Sequence, residues 1–278
     1  LWWQLSEKAS GEERQALQAR AVYWYEQALP HLSGLSKTSV QRRIETYQAS
    51  TTPKEAPRIT KGEYVLYFDG QKTYVTVPNF QYDGSKPLTL EVILKAQSAK
   101  QDAVIIGNLT PMGGWALALA KNPNRTESNP YWIFFFSGRR LQSSYSEEPA
   151  QIGQRVMLAA VYDGEDIRMF VNGRRQYTAS PIFRHRPGPP TLLIGAGTSP
   201  TGVRTNFFHG TIEQLRISFV VRYTSSFTPP QRLEKDKETE LLLHFDVGQG
   251  TSVPDLSGAR RAVRIVAGKW VKRDAVNP

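Results

Sequence analysis

From Gly62 onward, apolar and polar residues alternate with a period of two, the spacing that puts every other side chain on one face of a pleated strand. Strands are predicted over 63–68, 73–78, 88–96, 103–107, 115–120, 131–136, 140–145, 155–162, 166–171, 191–194, 211–219, 240–245 and 262–266. The clearest stretch is 160–173, where Asp163-Gly164 and Asn172-Gly173 separate apolar runs. Both dipeptides tolerate the positive φ that tight hairpin turns demand, so the stretch reads strand, turn, strand, turn. Breaks rich in Gly and Pro at 111–114 and 186–190 mark longer rim loops. Many short strands in this order predict a mainly β fold, with antiparallel sheets stacked as a jelly-roll β-sandwich.

Residues 1–47 keep a different period and form a short N-terminal α-helical segment. Trp3, Leu5, Leu17, Ala21, Trp24, Tyr25, Ala28 and Leu29 recur at helical spacing. Gly11 separates a short first helix from a longer second, which Pro30 and Gly34 stop. Residues 36–39 offer N-caps to a third helix carrying Val40 and Ile44. Residues 48–61 hold Pro53 and Pro57 among small polar residues and read as a linker. The division is thus 1–47 helical, 48–61 linker and 62–278 sandwich.

Net charge is +10 and cysteine is absent. Disulfide staples, thiol nucleophiles and thiolate metal sites are therefore excluded. No apolar run approaches the ~20 residues that span a membrane as a helix. The chain starts at Leu1 without a basic, cleavable leader, which reads as a piece of something longer. A positive balance favours acidic partners, including anionic glycans. Nucleic acid is disfavoured, because neither a recognition helix nor an aromatic RNA-binding motif accompanies the charge. Arg260, Arg261, Arg264, Lys269, Lys272 and Arg273 cluster in the last strands, where they suit a solvated sheet edge that resists strand addition.

Phe68-Asp69-Gly70 followed by 74–78, the strand at 88–92, the hairpins at 160–173, the run 208–218 and the closing segments 242–246 and 255–258 resemble, in this order, a laminin-G-like domain. Such domains belong to the concanavalin A-like lectin/glucanase superfamily, and the likeness covers residues 62 to 272. Residues 21–30 resemble the second helix of a tetratricopeptide repeat. A helical start joined to such a sandwich is similar to multidomain proteins of planctomycete-type bacteria. One repeat cannot bury its apolar face alone, so Trp2, Trp3 and Trp24 are expected to contact the sandwich, upstream repeats or another subunit. The resemblance implies the fold and leaves several functions open: sugar binding, protein adhesion or glycoside hydrolysis. It also implies an extracellular, periplasmic or cell-surface location.

Hydrolases of this superfamily need paired carboxylates on one strand, so that acid and nucleophile flank one bond. Here Glu91 stands alone on its strand, and the acidic run 234–238 falls in a loop. The expectation is a chain that is not an enzyme and has no catalytic residues. His31, His185, His209 and His244 show no metal spacing. Calcium, a hard cation suited to turn carboxylates, is the one ion the resemblance suggests, with Asp69 and Asp246 as ligands. For a sugar, the aromatic strand at 131–136 and its partner offer Tyr131, Trp132, Arg139, Arg140 and Tyr145. Trp132, Phe134 and Phe136 share one face of that strand, and Tyr131, Ile133 and Phe135 share the other. One face must be core. The expected function is a non-catalytic module binding a carbohydrate, an anionic glycan among them, or a protein surface. The alternative is an assembly domain acting through the aromatic helices, and polysaccharide hydrolysis at Glu91 comes third.

Overall fold

A computed structural model describes residues 2–51, 62–99, 102–122, 124–126, 128–138, 140–180 and 185–273. The chain divides into two compact units, Leu1–Arg58 and Ile59–Pro278.

The first unit holds α1 (Trp2–Ser6), α2 (Gly11–Ala28) and α3 (Gly34–Thr51). Helix α3 runs to Thr51, beyond the boundary expected at residue 47, and residues 52–61 of the expected linker lie outside the described residues. Trp3, Ala21, Val22 and Ile44 form a small core, with Tyr25 and Leu29 packed against it. The Arg43 guanidinium lies over both Trp3 and Tyr25, and its Nη1 donates to the Tyr25 hydroxyl at 2.9 Å. Trp24, placed by its spacing on the apolar stripe, instead points outward with Tyr23, each 57% exposed and the rings edge to face.

The second unit is a sandwich. In chain order its strands are β1 (Tyr64–Asp69), β2 (Tyr74–Val77), β3 (Leu88–Ala96), β4 (Ala103–Gly107), β5 (Trp115–Lys121) and β6 (Pro130–Ser137). Next come β7 (Leu141–Tyr145), β8 (Arg155–Tyr162), β9 (Ile167–Val171), β10 (Arg174–Ala179), β11 (Leu192–Ile194) and β12 (Gly197–Thr198). The last are β13 (Arg204–Thr205), β14 (His209–Ser218), β15 (Thr239–His244), β16 (Ser252–Val253), β17 (Val263–Val266) and β18 (Lys269–Lys272). One sheet runs β10-β9-β8-β3-β14-β1-β18, with β15 also paired to β14. The other runs β16-β17-β2-β11-β4-β5-β6-β7. Strands β12 and β13 make a separate small hairpin. Every pairing within the two main sheets is antiparallel.

Alternation decides what lies between the sheets. Leu88, Leu90, Val92 and Leu94 of β3 meet Trp115, Leu117 and Leu119 of β5 and Trp132, Phe134 and Phe136 of β6 in one continuous core. Each large side chain buried there contributes about 1.5–3 kcal/mol. Strands β10 and β18 were not foreseen. Both are sheet edges rich in polar residues, where one-sided burial blurs the alternation. Lys269 and Lys272 stand at the two ends of β18, an arrangement that discourages further strand pairing.

Candidate functional site

The two sheets differ on their outer faces. On the β3 sheet, the outward residues are covered by the segment that follows β14. Ile93 packs with Met157, Leu233 and Leu242, which explains an apolar residue at an outward position. Tyr223 and Phe227 stack at 3.5 Å and lie against Phe170. The Thr89 hydroxyl donates to the Val220 carbonyl at 2.6 Å.

Glu91 lies beneath this cover and is fully buried. Arg216 grips it with two charge-assisted hydrogen bonds, Nε to Oε2 at 2.5 Å and Nη2 to Oε1 at 2.8 Å. The Tyr223 hydroxyl donates to the same carboxylate at 2.7 Å. In the acidic run 234–238, Asp236 is held by both Nη atoms of Arg222 at 2.7 Å. These carboxylates are structural anchors, and neither reaches an open groove.

On the other sheet, the outer face opens into a groove of about 440 Å³. Its origin is legible in β5, Trp115-Ala116-Leu117-Ala118-Leu119-Ala120. The large residues turn inward to the core, so only methyl groups face out. Three alanines in a row leave a trough in the sheet surface. Val104 of β4, Leu193 of β11 and Phe135 of β6 flank it, and the β12–β13 hairpin supplies Thr198 and Asn206 to one wall.

Two loops close the rim. Gly114, with φ +107°, accepts no side chain, because a Cβ would sit 2.4 Å from the Asn108 carbonyl oxygen. At Gly113 a Cβ would meet the Pro187 carbonyl at 2.3 Å. The bare backbones let the 108–114 loop pack directly on 186–188. There the Gly114 amide donates to the Arg186 carbonyl, and the Arg186 amide donates to the Ser137 carbonyl, each at 2.8 Å. Arg186 is thereby fixed at the groove margin, and Arg140 lines the same end.

The residues nominated from sequence scatter. Trp132 is 2% exposed and belongs to the core, so its indole offers no open platform over the sheet. The alternation of β6 forces this: the face that carries Trp132 also carries Phe134 and Phe136 and points between the sheets. Tyr131 lies on the outer face but is 2% exposed, packed with Ala120, Ile133, Phe135 and Tyr145. Tyr145 is half-buried and stacks on Tyr177 at 4.4 Å. Arg139 falls outside the described residues. Arg140 is the nominee that reaches the groove. The alanines, Asn206 and Arg186 were missed. The signal for the first was the large–small alternation of β5, and nothing local marked the others.

Both calcium nominees already have protein partners in the fold. One Asp69 oxygen already accepts the backbone amides of Gln71, Lys72 and Thr73 at 2.9–3.0 Å. Although partial burial opposes it, this turn network holds the carboxyl down at about 2. Asp246 is buried beside Arg232, 3.4 Å away. Among the described residues no group of three or more His, Asp and Glu gathers to hold a metal. His209 accepts or donates to the Tyr67 hydroxyl at 2.9 Å, and His244 bonds the Leu233 carbonyl at 2.9 Å, so both are structural.

A laminin G-type profile of the Concanavalin A-like lectin/glucanases superfamily matches residues 69–222, more than half of the chain. The chain belongs to this superfamily. Among solved structures, a candidate carbohydrate binding protein from Bacteroides ovatus is 16% identical with a TM-score of 0.57, over 77% of this chain and 61% of that one. The chain thus spans less than two thirds of that relative. Domains LG4-5 of the mouse laminin alpha1 chain align at 16% identity and TM-score 0.44, over 60% and 47% of the two chains. The CBM40 domain of a Ruminococcus gnavus IT-sialidase aligns at 12% and 0.43, over 60% and 95%. No curated protein matches the sequence. Membership of the superfamily accounts for the jelly-roll architecture. No helix among the described residues is long and apolar enough to cross a membrane.

Proposed function

We propose that the sandwich is a non-catalytic binding module, and that a glycan occupies the groove over β4, β5 and β6. The observation that carries this reading is the asymmetry of the two outer faces. One is covered, with its carboxylates locked in ion pairs. The other is open along a trough floored by alanines and margined by amide, hydroxyl and guanidinium groups. Sugar rings present both C–H faces and hydroxyls, and a trough of this mixed lining serves both. Superfamily membership and the description of the Bacteroides ovatus relative support the same reading. Asp102 is the single carboxylate among the described lining residues, which gives no acid–nucleophile pair for hydrolysis. A role at a cell surface, in the periplasm or outside the cell accords with this function.

The test is a glycan array probed with the intact chain, followed by titration of the best ligand against Ala118→Phe, which fills the trough, and Leu141→Trp, which narrows its mouth. Leu141 is 54% exposed, so the second variant leaves the core untouched. Each is expected to weaken binding by roughly tenfold or more, about 1.4 kcal/mol. Wild-type affinity in both variants, each folded, defeats the proposal.

A second reading concerns the helical unit. Tyr23 and Trp24 stand exposed on α2, whose C-terminal half resembles the second helix of a tetratricopeptide repeat, which favours contact with upstream repeats or another subunit. Sedimentation of wild type against a Tyr23→Ser/Trp24→Ser double variant tests it: loss of a larger species supports assembly, and an unchanged monomer defeats it.

A further inference from the structure

We infer that Tyr177 is a second sugar-binding position, an aromatic platform on which a further pyranose ring of the same glycan stacks beyond the groove. This rests on the proposed glycan groove and adds a seat for the next residues of the sugar chain, so that the ligand is an oligosaccharide held along its length. At 45%, Tyr177 is the most exposed aromatic side chain among the described residues of the sandwich unit. Its ring is oriented. One face lies on Tyr145, with centroids 4.4 Å apart and planes 13° from parallel. Among the described residues the side chain has no other ring contact and its hydroxyl has no hydrogen bond. The opposite face is therefore turned to solvent as a flat apolar surface with a hydroxyl at its rim.

The backbone brings the ring there. Strand β10 belongs to the β3 sheet, and its pairing with β9 slips between Arg175 and Thr178, so that Gln176 and Tyr177 together oppose Met169 alone. A bulge of this kind re-aims the side chains it carries. Gln176 pins the bulge: it is buried, its Oε1 accepts the Glu147 amide at 2.9 Å, and its Nε2 donates to the Arg174 carbonyl at 2.8 Å. The Ser144 hydroxyl of β7 donates to the Tyr177 carbonyl. The Tyr145 ring beneath is held in turn, since its hydroxyl accepts from Asn124 Nδ2 at 3.2 Å. A ring fixed in advance loses little freedom when a ligand settles on it.

The platform continues the groove. Ala118 of the trough floor pairs with Ile133, and Ile133 pairs with Tyr145, so the three stand in one row across the outer face. Phe135 lines the groove and packs into the same cluster as Ile133 and Tyr145, which makes the surface between them continuous and apolar. Two strand spacings put Tyr145 about 10 Å from the trough floor, and Tyr177 stacks upon it. A single sugar ring in the trough falls short of the platform, whereas a chain of sugars reaches it. The C–H bonds on one face of a pyranose carry slight positive charge and meet the negative face of the phenol ring.

The experiment titrates the intact chain calorimetrically with three defined series, cello-, xylo- and β-galacto-oligosaccharides of two to six residues. Affinity for one series is expected to rise roughly tenfold from disaccharide to hexasaccharide. Tyr177→Ala is expected to weaken the hexasaccharide roughly five- to tenfold, the loss of one aromatic contact, and to leave the disaccharide within about twofold. Tyr177→Phe, which keeps the ring, is expected to bind both lengths as wild type does, and Ala118→Phe to weaken both. Melting of each variant beside wild type verifies the fold. Equal binding by wild type and Tyr177→Ala at every length overturns the inference; if Ala118→Phe still weakens both lengths, the groove stands without it. A Tyr177→Ala loss as large for the disaccharide as for the hexasaccharide also overturns it, because the ring then only supports the sheet edge. A loss in Tyr177→Phe equal to that in Tyr177→Ala assigns the contact to the hydroxyl and overturns the stack. Binding by none of the three series overturns the inference, and with a blank array the groove falls too.

Discussion

Replacing Glu91 by alanine is expected to destabilise the sandwich rather than to abolish an activity. Glu91 has no exposed surface, and the Arg216 side chain that grips it is 10% exposed. Truncation leaves the guanidinium without its two acceptors and the Tyr223 hydroxyl without its own. Removing one partner of a buried ion pair costs about 3–5 kcal/mol, because the other charge stays buried and uncompensated. The Arg216 Nη1 keeps its 2.7 Å bond to the Glu234 carbonyl, which favours the lower half of that range. For a domain of this size, each kcal/mol shifts the melting temperature by roughly 2–4 °C, so a fall of about 6–16 °C is expected. Urea unfolding followed by tryptophan fluorescence measures the free energy, and scanning calorimetry the temperature. The double variant Glu91→Leu/Arg216→Met is expected to recover much of the loss, since an apolar pair of similar volume avoids the desolvation of both charges. A Glu91→Ala protein within about 0.5 kcal/mol of wild type, the scatter of ordinary surface substitutions, would refute the reasoning.

Two further outcomes follow from buried and turn groups. His185 is 7% exposed, lies against Phe136 at 4.4 Å and Tyr82 at 5.2 Å, and burial lowers its pKa from 6.5 to about 4. The unfolded chain binds this proton first, so stability is full above pH 6.5, falls by about 3 kcal/mol as pH drops to 4, and levels below. Denaturation midpoints across this range in wild type and His185→Phe check it, and an unchanged slope in the variant contradicts it. For Asp69, alanine is expected to cost about 1–2 kcal/mol through three lost amide bonds, comparable to a helix cap, while EDTA leaves the wild-type melting temperature unmoved. A melting temperature raised by calcium in wild type and not in Asp69→Ala would instead make Asp69 a ligand.

The sandwich was legible in the sequence because its signals are local. The turns Asp163-Gly164 and Asn172-Gly173 and the alternation of β3, β5 and β8 need no knowledge of distant residues. What failed was the assignment of faces. In β6 both faces are apolar, and alternation alone cannot say which one turns inward. The answer comes from the partner strand, where Ala118 opposite Ile133 and Leu119 opposite Trp132 fix the register. The groove escaped notice for a related reason. Its floor is a run of alanines, residues that attract no chemical argument, and its lining gathers residues far apart in the chain, Asp102, Arg140, Arg186 and Asn206 among them. Glu91 shows the converse: a lone acid on its strand is buried and ion-paired because the segment after β14, distant in sequence, folds over it.

Hydrogen exchange of the intact chain with and without the tightest glycan from the array decides whether the trough over β4, β5 and β6 is where a ligand sits. Slowed exchange is expected at 104–118, 135–142, 186–188 and 197–206, the segments that wall the trough, with little change over 219–238 on the covered face. Protection confined to the covered face or to the helical unit, with the trough unaffected, would contradict it.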